Sequence, residues 1–401
     1  MSYFNKIKIF YFNPTCEMAI ANGESTYNPP THLKKFEDDL AMLPYFLCDS
    51  KDFVLVPKNI NLNFIEYLQS LGFNLPNFVT SAADLPKSTH IQLISPWGWS
   101  PAAHKKLNQF IHNCSPNWEN HPMSKWKSSH STLLSRETTY KFIAELIKIK
   151  NKSYNLIEIP FLPLKVNTLE DIKNLHEKIS PPILLKTPLS ASGRGHFKIR
   201  DLHEHAEKSG WIKSKLLRQK HLFAEPFLNK VLDVSFHFMV EENEIKYLGN
   251  TFFETDAKGQ FTGCHVGFPK QSCFDKFFLT DTCLQAKELL LSGLHQLEIN
   301  KDYQGPLGID AIFFEKPCGT ISLNPCVEVN LRHTMGLVNI LLRQRIHPEK
   351  NGIWEILSEN INVEDFKHSK NSIREGFIWE GFFLLTLPIG DSGYVVRLKV
   401  E

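Results

Sequence analysis

The stretch Asn324-Pro-Cys-Val-Glu-Val-Asn-Leu-Arg-His-Thr-Met-Gly336 carries the chain's most concentrated chemistry. Val327, Val329 and Leu331 alternate with Glu328, Asn330 and Arg332, so at strand period the three polar side chains leave from one face. A carboxylate and an amide oxygen are hard donors suited to Mg²⁺. The guanidinium beside them is a rigid fork for phosphate oxygens. The same alternation also describes the solvated face of an edge strand, so the rest of a site must come from elsewhere.

A second carboxylate lies upstream. Gly305–Phe314 reads as a strand with Asp310 on the face opposite Ile309, Ala311 and Phe313. A turn at Lys316–Gly319, centred on Pro317 and Cys318, pairs Asp310 with a residue near 325 and falls short of Glu328. A bulge at Asn324 and Pro325, where proline cannot donate to the ladder, would close that gap. Adjacent carboxylates repel unless a cation sits between them. Their convergence predicts Mg²⁺ bridging phosphate oxygens, the plain alternative being two surface acids.

A place for phosphates is suggested by Pro181 to Ile199. Ile183–Leu185 is a buried strand that ends in Lys186, and burying that ammonium unpaired is costly. Ser190, Ser192, Gly193 and Gly195 follow, and glycines that admit positive φ let backbone N–H groups curl round phosphate oxygens. Arg194 adds a charge-assisted donor before a new strand at Phe197–Ile199. A simple hairpin loop with an incidental lysine is the alternative. The order excludes a Walker loop, where Gly-Lys-Ser/Thr opens a helix, and a kinase glycine loop, where the lysine follows the glycines.

The elements that must position these groups belong to an ordinary globular chain. With 401 residues it has room for two or three domains. Its 45 basic and 43 acidic residues balance to +2, which asks for no nucleic acid partner. The eight cysteines are scattered without a Cys-x-x-Cys pair, so zinc ribbons and thioredoxin-type motifs are excluded. They read as reduced thiols, the first residues read as a strand, and no apolar run nears the roughly 20 residues that span a bilayer. A cytoplasmic protein without membrane contact is the expectation.

In chain order, strands at Ile7–Phe12, Phe53–Val56 and Ile91–Ser95 alternate with helical patterns at Phe36–Leu47 and Leu62–Leu71, which predicts an open α/β sheet. Ligands sit outside the carboxyl ends of such strands, here the loops at 13–28 and 96–101. Pro14 is placed at the first position of a helix, and Trp97 and Trp99 either wall a pocket or pack on a domain interface. No Gly-x-Gly-x-x-Gly follows the first strand. A connector over 113–130 leads to a helix from Thr132 to Leu146, with Arg136, Tyr140 and Ile143 on one face. A strand at Leu156–Leu164 precedes an amphipathic helix at Thr168–Ile179. Glu225 ends one strand and Asp233 opens another. Two strands near 245–253, a turn at 258–267, helices at Leu279–Leu297 and Met335–Arg345, and a final strand at Tyr394–Val400 complete the reading.

In this order the pieces resemble the ATP-grasp superfamily over about residues 125–345. Arg136 looks like the first phosphate-contacting basic residue, and Lys186 with Ser190, Ser192, Gly193, Arg194 and Gly195 like the second with its loop. Glu225-Pro-Phe227-Leu228 is similar to the linker that holds the adenine, and Asp233 stands where the ribose ligand belongs. Asp310, Glu328 and Asn330 resemble the metal ligands, with Arg332 steadying the transferring phosphate. Two departures are Leu331, where proline is usual after Glu-x-Asn, and Asp233, where many members have glutamate.

The resemblance implies an α/β and α+β architecture: a pre-ATP-grasp-like domain over 1–120, a small lobe with the phosphate loop over 121–215, a large lobe with the metal site over 216–349, and a C-terminal segment over 350–401 packed on the body. It implies ATP and Mg²⁺ as cofactors, two ions, with Mn²⁺ as a substitute. The implied activity is a ligase that turns a small-molecule carboxylate into an acyl phosphate for attack by an amine-type co-substrate, with Arg332, Lys186 and Arg194 as its catalytic groups. The two N-terminal loops would line the acceptor pocket. A small-molecule kinase and a nucleotide-binding regulatory or scaffold protein remain open alternatives, as do monomer and homodimer.

Overall fold

A computed structural model of the chain describes residues 6–190, 194–200, 209–269, 275–360, 372–390 and 392–401. Four parallel strands, β1 (Lys8–Tyr11), β2 (Phe53–Leu55), β3 (Asn77–Val79) and β4 (Leu93–Pro96), form the first sheet in the order β3-β2-β1-β4. Because β2 and β4 flank β1 on opposite sides, the strand order reverses at β1. The loops after β1 and β4 therefore splay apart over a crevice at the carboxyl ends. The short β3 gave no apolar run in the sequence.

The second sheet is antiparallel, with β5 (Leu164–Val166), β6 (Ile183–Lys186), β7 (His196–Ile199) and β8 (Leu222–Pro226) in the order β5-β8-β6-β7. β8 pairs with β5 and β6 and so belongs to this small sheet, whereas the boundary expected at 215/216 places it in the following lobe. The expected strand at Leu156–Leu164 reduces to β5 and one bridge between Ile157 and Leu323. Its prolines lack the donors a ladder needs.

The third sheet has nine strands: β9 (Asn229–Val240), β10 (Ile245–Thr255), β11 (Phe261–Val266), β12 (Gly305–Glu315), β13 (Ile321–Asn330), β14 (Gly352–Asn360), β15 (Ser372–Arg374), β16 (Phe377–Leu384) and β17 (Ser392–Val400). Their order is β13-β12-β9-β10-β11-β14-β17-β16-β15. Residues 245–255 are one strand rather than two, bent by a register shift between Tyr247 and Gly249. The C-terminal strands extend the sheet past β11 and pack on the N-terminal unit. There Asp39 accepts from Ile389 N at 2.8 Å and Tyr394 N at 2.9 Å.

Period-two alternation gives the sheet its two faces. Val234, Phe236 and Phe238 of β9 and Ile309, Ala311 and Phe313 of β12 are fully buried in one core, against helices Arg136–Ile149 and Lys276–Gln296. Each such aromatic stabilises the fold by about 1.5–3 kcal/mol on burial. The intervening Asp233, Ser235, Asp310 and Ile312 face a cleft between this sheet and the small one. The entry helix starts at Arg136, not Thr132, because the Ser135 side chain caps it by accepting from Glu137 N, and a separate turn of helix spans Ser128–Leu133. Likewise Cys16–Asn22 begins after Thr15, leaving Pro14 ahead of the N-cap.

Candidate active site

The hairpin of β12 and β13 sets the first part of the site. Ile312 pairs with Asn324, but Asp310 pairs with Glu328, so β13 spends two extra residues around Pro325. That bulge turns Glu328 directly opposite Asp310. Ser235 Oγ donates to Asp310 Oδ1 at 2.8 Å, and Asn330 Nδ2 donates to Asp310 Oδ2 at 3.0 Å. Burial, then the neighbouring Glu328, raises the Asp310 carboxyl to about 6. Glu328 is held by Arg136, whose Nη2 lies 2.6 Å from Oε1.

The β6–β7 hairpin supplies the second part. Lys186, at the end of β6, opposes His196 across the ladder and forms an ion pair with Glu225 of β8. That pair answers the demand for an anionic partner. Arg136 knots the hairpin to Glu328 of β13: Nη1 donates to Thr187 O at 2.5 Å and Ser190 Oγ at 2.9 Å, and Nη2 to His196 Nε2 at 3.1 Å. Burial, then the charges of Arg136 and Lys186, hold His196 neutral with a pKa near 2. Gly195 is needed for close approach rather than for positive φ, since a Cβ there would overlap Thr187 Oγ1 and Ser190 Cβ. Ser192 and Gly193 lie outside the described residues.

The linker between β8 and β9 carries Phe227 and Leu228. Phe227 N is already bonded to Pro182 O at 2.8 Å, so it has no donor to offer a ligand. Asp233, on the same cleft face of β9, forms an ion pair with Lys230 and accepts from Thr255 Oγ1 at 3.2 Å. Burial raises its carboxyl and Lys230 pulls it back.

Arg332 closes the site from the N-terminal side. Its Nη2 donates to Asn330 Oδ1 at 2.9 Å, Nη1 to His333 O at 3.2 Å, and Nε to Glu17 Oε1 at 2.6 Å. Burial alone would lower the guanidinium, but Glu17, with Cys16 and Glu328, leaves it raised. The loops at the sheet's switch point meet it directly. Asn13 Nδ2 donates to Gly98 O at 2.7 Å, and His333 N donates to Trp97 O at 2.9 Å. Trp97 and Trp99 are both buried, Trp97 against Phe12 and His333, Trp99 against Trp118 and His104. They behave as packing rings at an interface. A Cβ on Gly98 would overlap Cys16 Sγ, so glycine is what lets these segments approach.

Lys186, Arg194, Glu225, Phe227, Leu228, Asp233, Asp310, Glu328, Asn330 and Arg332 all line one cleft of about 1130 Å³. Arg136 and Ser190 line a small adjoining pocket that shares Glu328, Asn330 and Arg332. Sequence reading missed Ser235, although it alternates with Asp233 on β9, and Lys230. It also missed Glu17, which has no sequence signal at 315 residues from its partner.

The donor set suits Mg²⁺ carried on phosphates. Two opposed carboxylates, one of them raised to about 6 by burial and then by the other, gain from a cation between them. Among the described residues no group of three or more His, Cys, Asp or Glu gathers as an all-protein cage. An ion bound through one or two carboxylates and substrate phosphates needs none.

No protein-family model matches the chain, and no curated protein sequence does. Several solved structures are similar to it along most of its length. N5-carboxyaminoimidazole synthetase from Staphylococcus aureus, complexed with ADP, is 14% identical over 99% of this chain and 94% of its own, with a TM-score of 0.47. Phosphoribosylamine–glycine ligase from Thermotoga maritima is 14% identical over 98% and 91%, with a TM-score of 0.49. L-amino acid ligase from Bacillus licheniformis is 13% identical over 99% and 94%, with a TM-score of 0.45. At these distances the likenesses assign no activity to this chain. Among the described residues no helix is long and apolar enough to cross a membrane.

Proposed function

We propose that the chain is an ATP-grasp ligase that uses ATP and Mg²⁺ to activate a small-molecule carboxylate as an acyl phosphate for attack by an amine-type nucleophile. The observation that carries this reading is the convergence of the Lys186–Glu225 pair, the opposed Asp310 and Glu328, and Arg332 on one cleft between two antiparallel sheets.

In this reading the adenine sits by Phe227 and Leu228. With the Phe227 N–H committed to Pro182, the Leu228 N–H is the linker's donor to the base. Asp233 takes the ribose hydroxyls. Lys186 and Arg194 neutralise the phosphates, and Arg136 fixes Ser190 and Glu328 around them. Asp310, Glu328 and Asn330 would hold one or two Mg²⁺ ions, or Mn²⁺, which supply charge neutralisation for the departing β-phosphate. To serve as a ligand, Asn330 Oδ1 must exchange Arg332 for the metal, which frees a guanidinium N–H for the acyl phosphate. The substrate carboxylate oxygen attacks the γ-phosphorus, ADP leaves, and the amine then displaces phosphate from the acyl carbon. Most of the work asked of the protein is positioning and charge.

The test is ADP release by the purified chain with Mg-ATP and mixtures of carboxylates and amines. Turnover that needs two co-substrates supports the ligase, and turnover with one supports a kinase. The absence of both turnover and thermal stabilisation by Mg-ATP would overturn the enzymatic reading. Glu328→Gln serves as the control that must lose both.

A further inference from the structure

We infer that the acid activated here carries a bulky apolar group, aromatic or branched aliphatic, which fills the arm of the cleft beyond Arg332. The inference rests on the ligase reading and names its substrate class. The sheet register sets out the arm. Asp233 of β9 pairs with Phe253 of β10, and Phe253 with Cys264 of β11, and all three line the cleft. Directly paired residues share a face, so the cleft floor passes from a carboxylate to apolar side chains within one strand.

The walls are apolar as well. Phe36 and Trp97 come from the N-terminal unit, Met335 opens the helix Met335–Arg343, and Phe261 and Tyr394 stand on β11 and β17. Trp97 is buried, while Phe36, Phe253, Phe261, Met335 and Tyr394 are half-buried and keep surface toward the cleft. Their rings are fixed by neighbours. Phe36 meets Tyr394 edge-on at 5.0 Å, Phe12 meets Trp97 at 4.9 Å, and Phe253 lies 6.2 Å from Phe261. A preformed aromatic pocket gains affinity from apolar area without having to be ordered on binding.

The polar groups divide to match. Lys186, Arg194, Lys198 and Arg200 line the cleft from the small sheet, whereas Asp256 and Lys258 stand in the exposed turn between β10 and β11. Arg332, Thr334 and Thr251 line the cleft too, and Thr251 pairs with Ser235, which itself pairs with Asp310. In the ligase reading the Arg332 N–H released from Asn330 is a donor for the acid's carboxyl oxygen, so the acid takes this arm, with its apolar group pointing away from Asp310 and Glu328.

The test uses the full chain, Mg-ATP and hydroxylamine, which captures an acyl phosphate as a hydroxamate. 3-Phenylpropanoate, phenylalanine and leucine are compared with acetate, succinate and glutamate. The bulky apolar acids are expected to exceed the others at least tenfold in kcat/KM. Phe253→Ala and Tyr394→Ala are expected to raise KM for the apolar acids about tenfold, with the KM for ATP unchanged. Phe253→Leu, which keeps apolar bulk, restores most of that loss and covers the case in which the alanine variant does not fold. Equal or better turnover of succinate, glutamate or acetate overturns the inference and leaves the ligase reading standing. No ADP or hydroxamate with any acid overturns both.

Discussion

Arg332 Nε and Glu17 Oε1 lie 2.6 Å apart, joining residues 315 positions apart in the chain. One belongs to the segment that follows β13, the other to the short helix Cys16–Asn22 after β1. Both side chains are largely buried, at 21% and 12% exposure. The pair is therefore an electrostatic clasp between the N-terminal unit and the end of β13. Glu17→Gln leaves a raised, buried guanidinium without its main countercharge. Unfolding stability should fall by about 1–3 kcal/mol, measured in urea at pH 7. No loss would mean that the clasp holds nothing.

The Asp310 carboxyl, raised to about 6 by burial and then by Glu328, couples stability to pH. A carboxyl whose folded pKa exceeds its unfolded one takes up protons more readily when folded. It favours folding most below about pH 4 and loses that contribution as pH rises through about 6. Asp310→Asn removes the loss while Ser235 keeps an oxygen to donate to. The ligand-free variant should be more stable than the parent at pH 7 by on the order of 1–3 kcal/mol, with the gap closing near pH 4. Thermal midpoints across pH 4–8 read it, and a gap that stays constant refutes the assignment. The same variant should lose Mg-ATP stabilisation.

Both halves of that carboxylate pair were legible in the sequence, because strand alternation fixes a residue's face and a proline locates a bulge. The Lys186 hairpin was legible for the same reason: a lysine closing an apolar strand demands a partner. Glu225 became that partner only through the pairing of β6 with β8, which no local pattern carries. The incorporation of β14 to β17 into the nine-stranded sheet was equally hidden, since an edge is joined by backbone donors that every residue has. Glu17 was invisible because its neighbours in sequence describe only a helix start.

Gly195 offers a separate check on the phosphate role proposed for the β6–β7 hairpin. A methyl group there would meet Thr187 Oγ1 and Ser190 Cβ, so the loop must open and Ser190 must leave Arg136. Gly195→Ala should weaken Mg-ATP binding by about tenfold, the equivalent of ~1.4 kcal/mol. Global stability should change little, because the core clusters do not include this loop. Isothermal titration beside a urea melt separates the two effects. A variant that binds Mg-ATP like the parent would remove the hairpin from the nucleotide site.

Lys186→Met probes the pair at the centre of that hairpin. Methionine keeps the apolar stem but leaves Glu225 without its countercharge, in a place where Lys186 is 7% and Glu225 18% exposed. If the pair only held two sheet strands together, the double variant Lys186→Met/Glu225→Gln, which removes both charges, should behave like the parent toward nucleotide. If Lys186 neutralises phosphate, the double variant should recover stability while Mg-ATP affinity stays at least tenfold down, since no remaining group supplies that charge. Thermal midpoints with and without Mg-ATP distinguish the outcomes, and full recovery of nucleotide binding in the double variant would leave Lys186 a purely structural residue.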